Sequence, residues 1–163
     1  TKYKDKLEIL FIIKKMKLKL LFIFIISLLL CNVINAKEYK IEMYFSNNFS
    51  PINFPNNNKF INIDATAVWK DTSGDYGTIK CFGRILEDKK IGSSLDIFCE
   101  AINQNKIKFW FRMERKSDQT DAGIGATTYL YGEGKYKNYV DMKCIYASKV
   151  FGANAIVNQK CNF

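Results

Sequence analysis

The sequence predicts an all-β protein: an antiparallel barrel or sandwich of about eight strands, with two disulfides, preceded by a signal peptide. Apolar and polar residues alternate with a period of two along several short segments after residue 59, which is typical of half-buried strands. Turn residues separate these segments, and no stretch of ten or more residues beyond residue 36 combines helical spacing with helix caps. These observations favour short antiparallel strands over helices.

Residues 16–36 contain the three parts of a secretory signal peptide. Lys17 and Lys19 give a positive start, residues 18–34 are almost wholly apolar, and Ala36 supplies a small residue before the cut. The apolar run is near the lower limit for spanning a bilayer, so an uncleaved N-terminal anchor is the alternative. We favour cleavage because polar sequence follows Ala36 directly. The protein is therefore expected to be exported, to the periplasm or the medium, with no stable membrane span after cleavage.

Residues 1–15 precede this signal and begin with Thr1 rather than methionine. We expect translation to start at Met16, which makes residues 1–15 a non-native upstream extension. N-terminal sequencing of the natural product tests this start.

The net charge divides unevenly between the targeting segment and the rest of the chain. The whole chain carries +9, and residues 1–36, with seven lysines and two acids, contribute +5 of it. Residues 37–163 keep the remaining +4, with basic and acidic side chains interspersed. This distribution is that of an ordinary solvated surface, so no nucleic-acid partner is predicted.

The strand predictions begin after an irregular N-terminal region, residues 37–58. Residues 37–45 have weak strand character, and residues 46–58 are rich in asparagine and hold both prolines of the chain, which is typical of a loop. We expect residues 37–58 to form a loosely attached arm and loop, followed by a β-barrel domain at 59–163. The alternation predicts strands at residues 60–69, 79–86, 94–100, 106–114, 124–131, 140–146 and 157–163.

The cysteines set the register of two predicted hairpins. When the apolar faces of the strands around Cys81 and Cys99 are aligned, the two cysteines lie opposite each other, and the same alignment pairs Cys144 with Cys161. Cross-strand neighbours have Cβ atoms about 4.5–5.5 Å apart, which is close to disulfide geometry. We therefore predict the disulfides Cys81–Cys99 and Cys144–Cys161, in keeping with an oxidising compartment. Four reduced core thiols are the alternative that a cytosolic protein would favour.

No catalytic residue, metal ligand or cofactor is assigned from the sequence. The chain has no histidine, which removes the usual general base and most transition-metal sites. The segment 132–135, Gly-Glu-Gly-Lys, lacks the full pattern of a phosphate loop and is predicted to be a tight turn between strands. Glu114, Asp118 and Asp121 are the candidate acid–base carboxylates, but the basic residues between them favour a solvated, charge-mixed loop.

Aromatic side chains are numerous for a domain of this size, and Phe82 and Trp110 fall on the polar side of their strands. One interpretation is a barrel mouth or an exposed surface that stacks a small ligand. The candidate ligand-binding residues are Trp69, Tyr76, Trp110, Tyr129 and Tyr131. The alternative is packing of these rings against a neighbouring loop or the N-terminal arm.

Two short segments resemble small calycin-like barrel proteins, which include the allene oxide cyclase and dirigent-like groups. Residues 76–81 open a strand after a glycine-containing turn, and residues 132–139 resemble the Gly-x-Gly-Lys-Tyr/Phe hairpin near the end of such barrels. The sequence is also similar to small secreted bacterial proteins without assigned activity. The resemblance covers residues 60–163 and implies an eight-stranded antiparallel barrel around an apolar interior. Asn138 replaces a glycine that is usual in that hairpin, and no position matches a cyclase site motif.

Three functions remain open from the sequence. The first is an exported β-barrel that binds a small, partly apolar molecule, because the interior of such a barrel can hold one ligand. The second is a cofactor-independent barrel enzyme, with Glu114, Asp118, Asp121 and the tyrosines as its candidates. The third is a protein-interaction or envelope-structural module that docks through Trp110 and Phe82. The oligomeric state is not predicted.

Overall fold

A computed structural model describes residues 15–17, 19–20, 38–119 and 121–162 of the chain. The predicted signal peptide, residues 16–36, and the upstream residues 1–15 lie almost entirely outside these ranges. Within the described ranges, no helix has both the length and the apolarity needed to cross a membrane.

The described residues form eight β-strands that follow one another around a closed antiparallel barrel, which confirms the predicted fold class. The strands are β1 (Glu38–Asn53), β2 (Lys59–Asp71), β3 (Tyr76–Asp88), β4 (Gly92–Asn103), β5 (Lys108–Ser117), β6 (Ala122–Gly132), β7 (Lys143–Phe151) and β8 (Asn154–Asn162). A 3-10 helix, Gly134–Tyr139, connects β6 to β7. Because β1 pairs with both β2 and β8, every strand has a neighbour on each side.

Alternate side chains of each strand point into the barrel, as the period of two requires. On β2, for example, Ile63, Ala65, Ala67 and Trp69 are buried while the residues between them are exposed. The inward side chains of all eight strands join in one hydrophobic core. The interior of the barrel therefore contains the core and any internal binding site.

Both predicted disulfides are present, and both lie inside the barrel. Cys81 is directly opposite Cys99 in the β3–β4 register, and a disulfide joins them with a Cα–Cα distance of 4.1 Å. Cys144 and Cys161 are joined across β7 and β8 with a Cα–Cα distance of 4.4 Å. These distances are those of close antiparallel pairs, so each disulfide links two strands that are already hydrogen-bonded neighbours.

The expectation of a loose arm and loop at residues 37–58 is wrong for most of that region. β1 begins at Glu38 and runs to Asn53, so most of this region is a strand of the barrel. Phe45, Asn47 and Phe49 turn toward the interior, where they line a cavity, while Ser46 and Asn48 between them face outward. Pro51 is tolerated because β1 pairs with β8 only as far as Ser46, so its missing N–H faces no partner strand there. The connecting loop is residues 54–58 alone.

The connection after β6 is also longer than the tight turn predicted at residues 132–135. The chain forms the 3-10 helix and reaches β7 only at Lys143, so residues 140–142 are not part of a strand. Tyr136 of this helix is fully buried, and Gly134 adopts φ +52 at its start. The helix therefore places the ring of Tyr136 inside the end of the barrel.

Candidate functional site

One end of the barrel interior is filled by aromatic rings. At this end, called here the aromatic end, β2, β4 and β6 finish and the 3-10 helix packs. The packed rings belong to Tyr39, Trp69, Phe109, Tyr129, Tyr136 and Tyr139. The ring centroids of Phe109 and Tyr136 are 4.4 Å apart, a distance at which such pairs stabilise a core. Trp69 and Tyr129, two of the candidate ligand-binding residues, are therefore core residues of the aromatic end.

The other three candidates lie on the outer surface of the barrel. Tyr76 and Tyr131 are largely exposed, and Trp110 is half-buried. Trp110 Nε1 donates a hydrogen bond to Glu100 Oε2 at 3.1 Å, which holds the indole against the outer face of β4. The five predicted residues are thus divided between the core and the outside and do not form one site.

A β-bulge explains why Tyr129 and Tyr131 separate. Strict alternation would place both on the same face of β6, but Tyr131 is opposite Trp110 whereas Tyr129 is opposite Phe111. Leu130 is therefore an extra residue in β6, and the side-chain parity reverses across it. As a result Tyr129 is 1% exposed and Tyr131 is 72% exposed.

The opposite end of the barrel, called here the cavity end, contains a cavity of about 360 Å³. Most of its lining is apolar and comes from strands around the barrel, including Phe45, Ile63, Leu95, Ile97, Met113 and Val157. At roughly 30 Å³ for each water-sized group, this volume holds about a dozen non-hydrogen atoms. The cavity is within the size range of small-molecule sites.

Two glycines of β6 make room for larger side chains at the cavity end. A Cβ at Gly123 would lie 3.0 Å from Arg115 Cδ, and a Cβ at Gly125 would overlap the ring of Tyr146. The Gly-x-Gly pattern therefore leaves the inner face of β6 flat at this level. The side chains of β5 and β7 occupy the space, and they bring polar groups into the barrel.

Arg115 places a positive charge in the lining of this mostly apolar cavity. It is 5% exposed, and its Nη1 donates a hydrogen bond to Ser148 Oγ at 2.9 Å. Ser148 Oγ donates in turn to the carbonyl oxygen of Gly123 at 3.3 Å. Tyr146 also lines the cavity, and burial raises the pKa of its hydroxyl to about 12. The polar group consists of a permanent cation beside two neutral hydroxyls.

Two carboxylates line the outer part of the cavity, and each is paired with a lysine. Asp121 Oδ2 lies 2.6 Å from Lys149 Nζ, and Glu87 Oε2 lies 3.7 Å from Lys59 Nζ. The hydrogen bond from Lys149 lowers the pKa of Asp121, so this carboxylate is ionised at neutral pH. The lysines offset the negative charge that these acids place near the cavity entrance.

No family model and no curated protein matches this chain. Its function is therefore inferred from the cavity and its chemistry. Among the described residues, no cluster of three or more side chains could hold a metal ion. The cavity offers apolar surface, one guanidinium, hydroxyl groups and, in its outer part, two carboxylates that are paired with lysines. Together these groups can bind and orient a small molecule.

The three candidate acid–base carboxylates do not come together at this cavity. Glu114 lies on the outer face of β5, where its Oε1 is 2.9 Å from Arg112 Nη2. Asp118 is exposed in the loop after β5, and Asp121 is paired with Lys149. Because Glu114, Asp118 and Asp121 lie apart, these three acids do not form the paired-carboxylate arrangement that acid–base catalysis uses.

Arg115, Tyr146 and Ser148 are the site residues that sequence reasoning missed. The inward pattern of β5, which includes Phe109, Phe111 and Met113, reaches Arg115 at the next inward position. A charged residue on the apolar side of a strand was the signal that could have identified the site. The charged loop that follows begins only after Ser117, so Arg115 belongs to the strand and not to the loop.

Proposed function

We propose that the protein binds one small, mostly apolar molecule inside the cavity end of its barrel. The observation that carries this proposal is the cavity of about 360 Å³, with apolar walls and a few convergent polar groups. Small-molecule sites in proteins have this composition. An eight-stranded barrel is also of the width that can enclose a single small ligand.

Burial of apolar surface supplies the affinity for such a ligand. Each buried methylene contributes about 0.8 kcal/mol, so a ten-carbon chain contributes about 8 kcal/mol before the cost of association. This corresponds to a dissociation constant no tighter than about 1 μM from the chain alone. Probes should therefore be tested at micromolar to millimolar concentrations.

The proposal is tested on protein expressed as the full chain in an oxidising compartment and then purified. Native mass spectrometry should show either a retained small molecule or binding of added 1-decanol, a neutral probe of about the cavity's size. Ala155→Phe fills the cavity, because Ala155 is a buried lining residue, and should weaken decanol binding at least about tenfold.

Ala126→Phe is the matched control, because Ala126 is exposed on the outer face of β6, and it should leave decanol binding unchanged. Two results contradict the proposal. One is a protein that retains no molecule and binds no decanol. The other is decanol binding that Ala155→Phe does not affect, because the probe then lies elsewhere.

The localisation proposed with this function is export to the periplasm or the medium after removal of residues 16–36 as a signal peptide. The two disulfides support it, because such bonds persist in oxidising compartments. The closed eight-stranded barrel supports the calycin-like resemblance, which implies the same fold. Many barrels of that general kind enclose small ligands.

A protein-interaction module is a second candidate function, favoured by an outer aromatic cluster. The cluster consists of Phe82, Phe98, Trp110 and Tyr131. Phe82 and Phe98 are opposite each other on β3 and β4 and are 49% and 52% exposed. Exposed apolar patches of this kind often mark contacts with other proteins.

On this second hypothesis, the outer aromatic cluster binds another copy of the same chain. The purified protein is sufficient to test it. Sedimentation velocity over a range of concentrations should then show self-association that Phe98→Ser removes. Tyr44→Ser, at an exposed tyrosine of β1 outside this cluster, should have no effect. A protein that stays monomeric at every concentration would argue against this second candidate.

A further inference from the structure

We propose that the ligand carries a carboxylate and that Arg115 binds it, an inference that rests on the proposed binding function. Among the described residues that line the cavity, Arg115 is the single basic one. An apolar molecule with a single acidic end, such as a medium-chain fatty acid, matches this combination of walls and charge. A neutral or cationic molecule of the same shape uses the walls but not the guanidinium.

The burial of Arg115 is the first argument for an anionic ligand. The side chain belongs to a residue that is only 5% exposed, and a guanidinium in a protein does not lose its proton. Its charge is therefore permanent in a place with little water. A carboxylate provides the strongest hydrogen bonds that such a group can make, often two in parallel.

The shape of the guanidinium also suits a carboxylate. A guanidinium presents its N–H donors in a fixed planar fork, which matches the two oxygens of a carboxylate, and Nη1 of Arg115 donates to Ser148 Oγ. Tyr146, in the same lining, donates its hydroxyl proton to the carbonyl oxygen of Glu114 at 3.4 Å. The carboxylate of the ligand is therefore assigned to Arg115 and not to Tyr146.

The orientation of the ligand follows from the position of Arg115 along β5. Arg115 is opposite Leu95, whereas Met113 and Ile97, the next inward pair, lie deeper in the barrel. A carboxylate on Arg115 therefore directs the apolar chain toward Met113, Ile97 and Val157, which are all buried.

The acids in the lining do not exclude an anionic ligand. Asp121 and Glu87 face lysine partners at 2.6 Å and 3.7 Å, so their charges are partly compensated where the ligand enters.

The experiment compares three probes of one length on the purified protein: decanoate, 1-decanol and decylamine. Isothermal titration calorimetry should show decanoate binding at least about tenfold more tightly than decanol, with decylamine the weakest, since hydrogen bonds to a charged group are worth about this much. This comparison needs no variant and so does not depend on how Arg115 affects folding.

Variants then assign the preference to Arg115. Arg115→Gln should reduce the ratio of decanoate to decanol affinity at least about tenfold, and Arg115→Lys should restore part of it. Arg112→Gln is the control, because Arg112 lies on the outer face of β5 and contacts Asp96; it should leave the ratio unchanged.

Each other outcome identifies which statement fails. Equal binding of decanoate and decanol, or tighter binding of decylamine, overturns the carboxylate inference and leaves the binding function standing. A decanoate preference that persists in a folded Arg115→Gln protein also overturns it. If none of the three probes binds, the proposed function fails together with this inference.

Discussion

Asp75 connects three parts of the chain at the aromatic end of the barrel. Its carboxylate accepts hydrogen bonds from Lys135 Nζ at 2.6 Å and from the hydroxyl of Tyr136, both in the 3-10 helix. Gln104 Nε2 donates to it at 3.1 Å and Asn103 Nδ2 at 3.4 Å, both from the end of β4 and the turn that follows. A single buried carboxylate therefore holds the helix against two strand connections.

These contacts predict how the stability of the protein depends on pH. Burial by itself would raise the pKa of Asp75, but the hydrogen bonds, led by that from Lys135, lower it to about 2. The unfolded value is about 3.9, so the ionised carboxylate stabilises the folded state by about 2 kcal/mol at neutral pH. That contribution is present above about pH 4 and is lost as the pH falls toward 2.

Asp75→Asn should remove this contribution. At pH 7 the free energy of unfolding of the variant should be about 2 kcal/mol lower than that of the parent protein. This difference in unfolding free energy should shrink toward zero near pH 2. Urea denaturation followed by circular dichroism at several pH values measures it. Asp64→Asn, at an exposed position of β2, should show no such dependence, and a constant difference for Asp75→Asn at all pH values would contradict the assignment.

At the scale of single elements, the hairpin β3–β4 was predictable residue by residue. The apolar faces and the cysteines required the same register, so Ile85 opposite Leu95 and Cys81 opposite Cys99 followed together. β1 was not predictable in this way, because its asparagines and Pro51 signal a loop. What makes residues 46–53 a strand is pairing with β2 along their whole length, and pairing between distant segments is not visible in local composition.

Two further elements show where local patterns reach their limit. The bulge at Leu130 inserts one residue, and no glycine or proline stands at that position to mark it. Alternation alone would place Tyr131 on the same face as Tyr129, which it does not share. The 3-10 helix follows a Gly-x-Gly sequence that also suits a tight turn, and burial of Tyr136 decides between them.

The candidate site was less predictable than the fold for the same reason. It requires knowing that β5, β6 and β7 are adjacent, so that Gly123 and Gly125 leave space for Arg115 and Tyr146. The aromatic candidates Trp69, Tyr76, Trp110, Tyr129 and Tyr131 lie in the core or on the outer surface instead. Composition identifies unusual residues, but only the arrangement of the strands tells which of them face the cavity.

At the scale of the whole molecule, the barrel has two different ends and one closed ring of strands. The aromatic end is filled by packed rings, whereas the cavity end keeps internal space. Because β1 pairs with both β2 and β8, the ring is completed by strands that are far apart in the chain. Neither disulfide cross-links β1 to β8, since one joins β3 to β4 and the other joins β7 to β8.

This arrangement predicts that the disulfides stabilise the molecule as a whole rather than one hairpin each. The sequence separation is 18 residues for Cys81–Cys99 and 17 for Cys144–Cys161. A cross-link of this span lowers the conformational entropy of the unfolded chain, which stabilises the folded state by about 3 kcal/mol. Because opening any strand pair breaks the ring, Cys81→Ala with Cys99→Ala should lower the global unfolding free energy by about that amount, and so should Cys144→Ala with Cys161→Ala.

Guanidinium denaturation followed by tryptophan fluorescence and by circular dichroism should give coincident single transitions for both variants. Separate transitions for the two probes would show that one hairpin opens alone, and an unchanged midpoint would show that the disulfide contributes no stability.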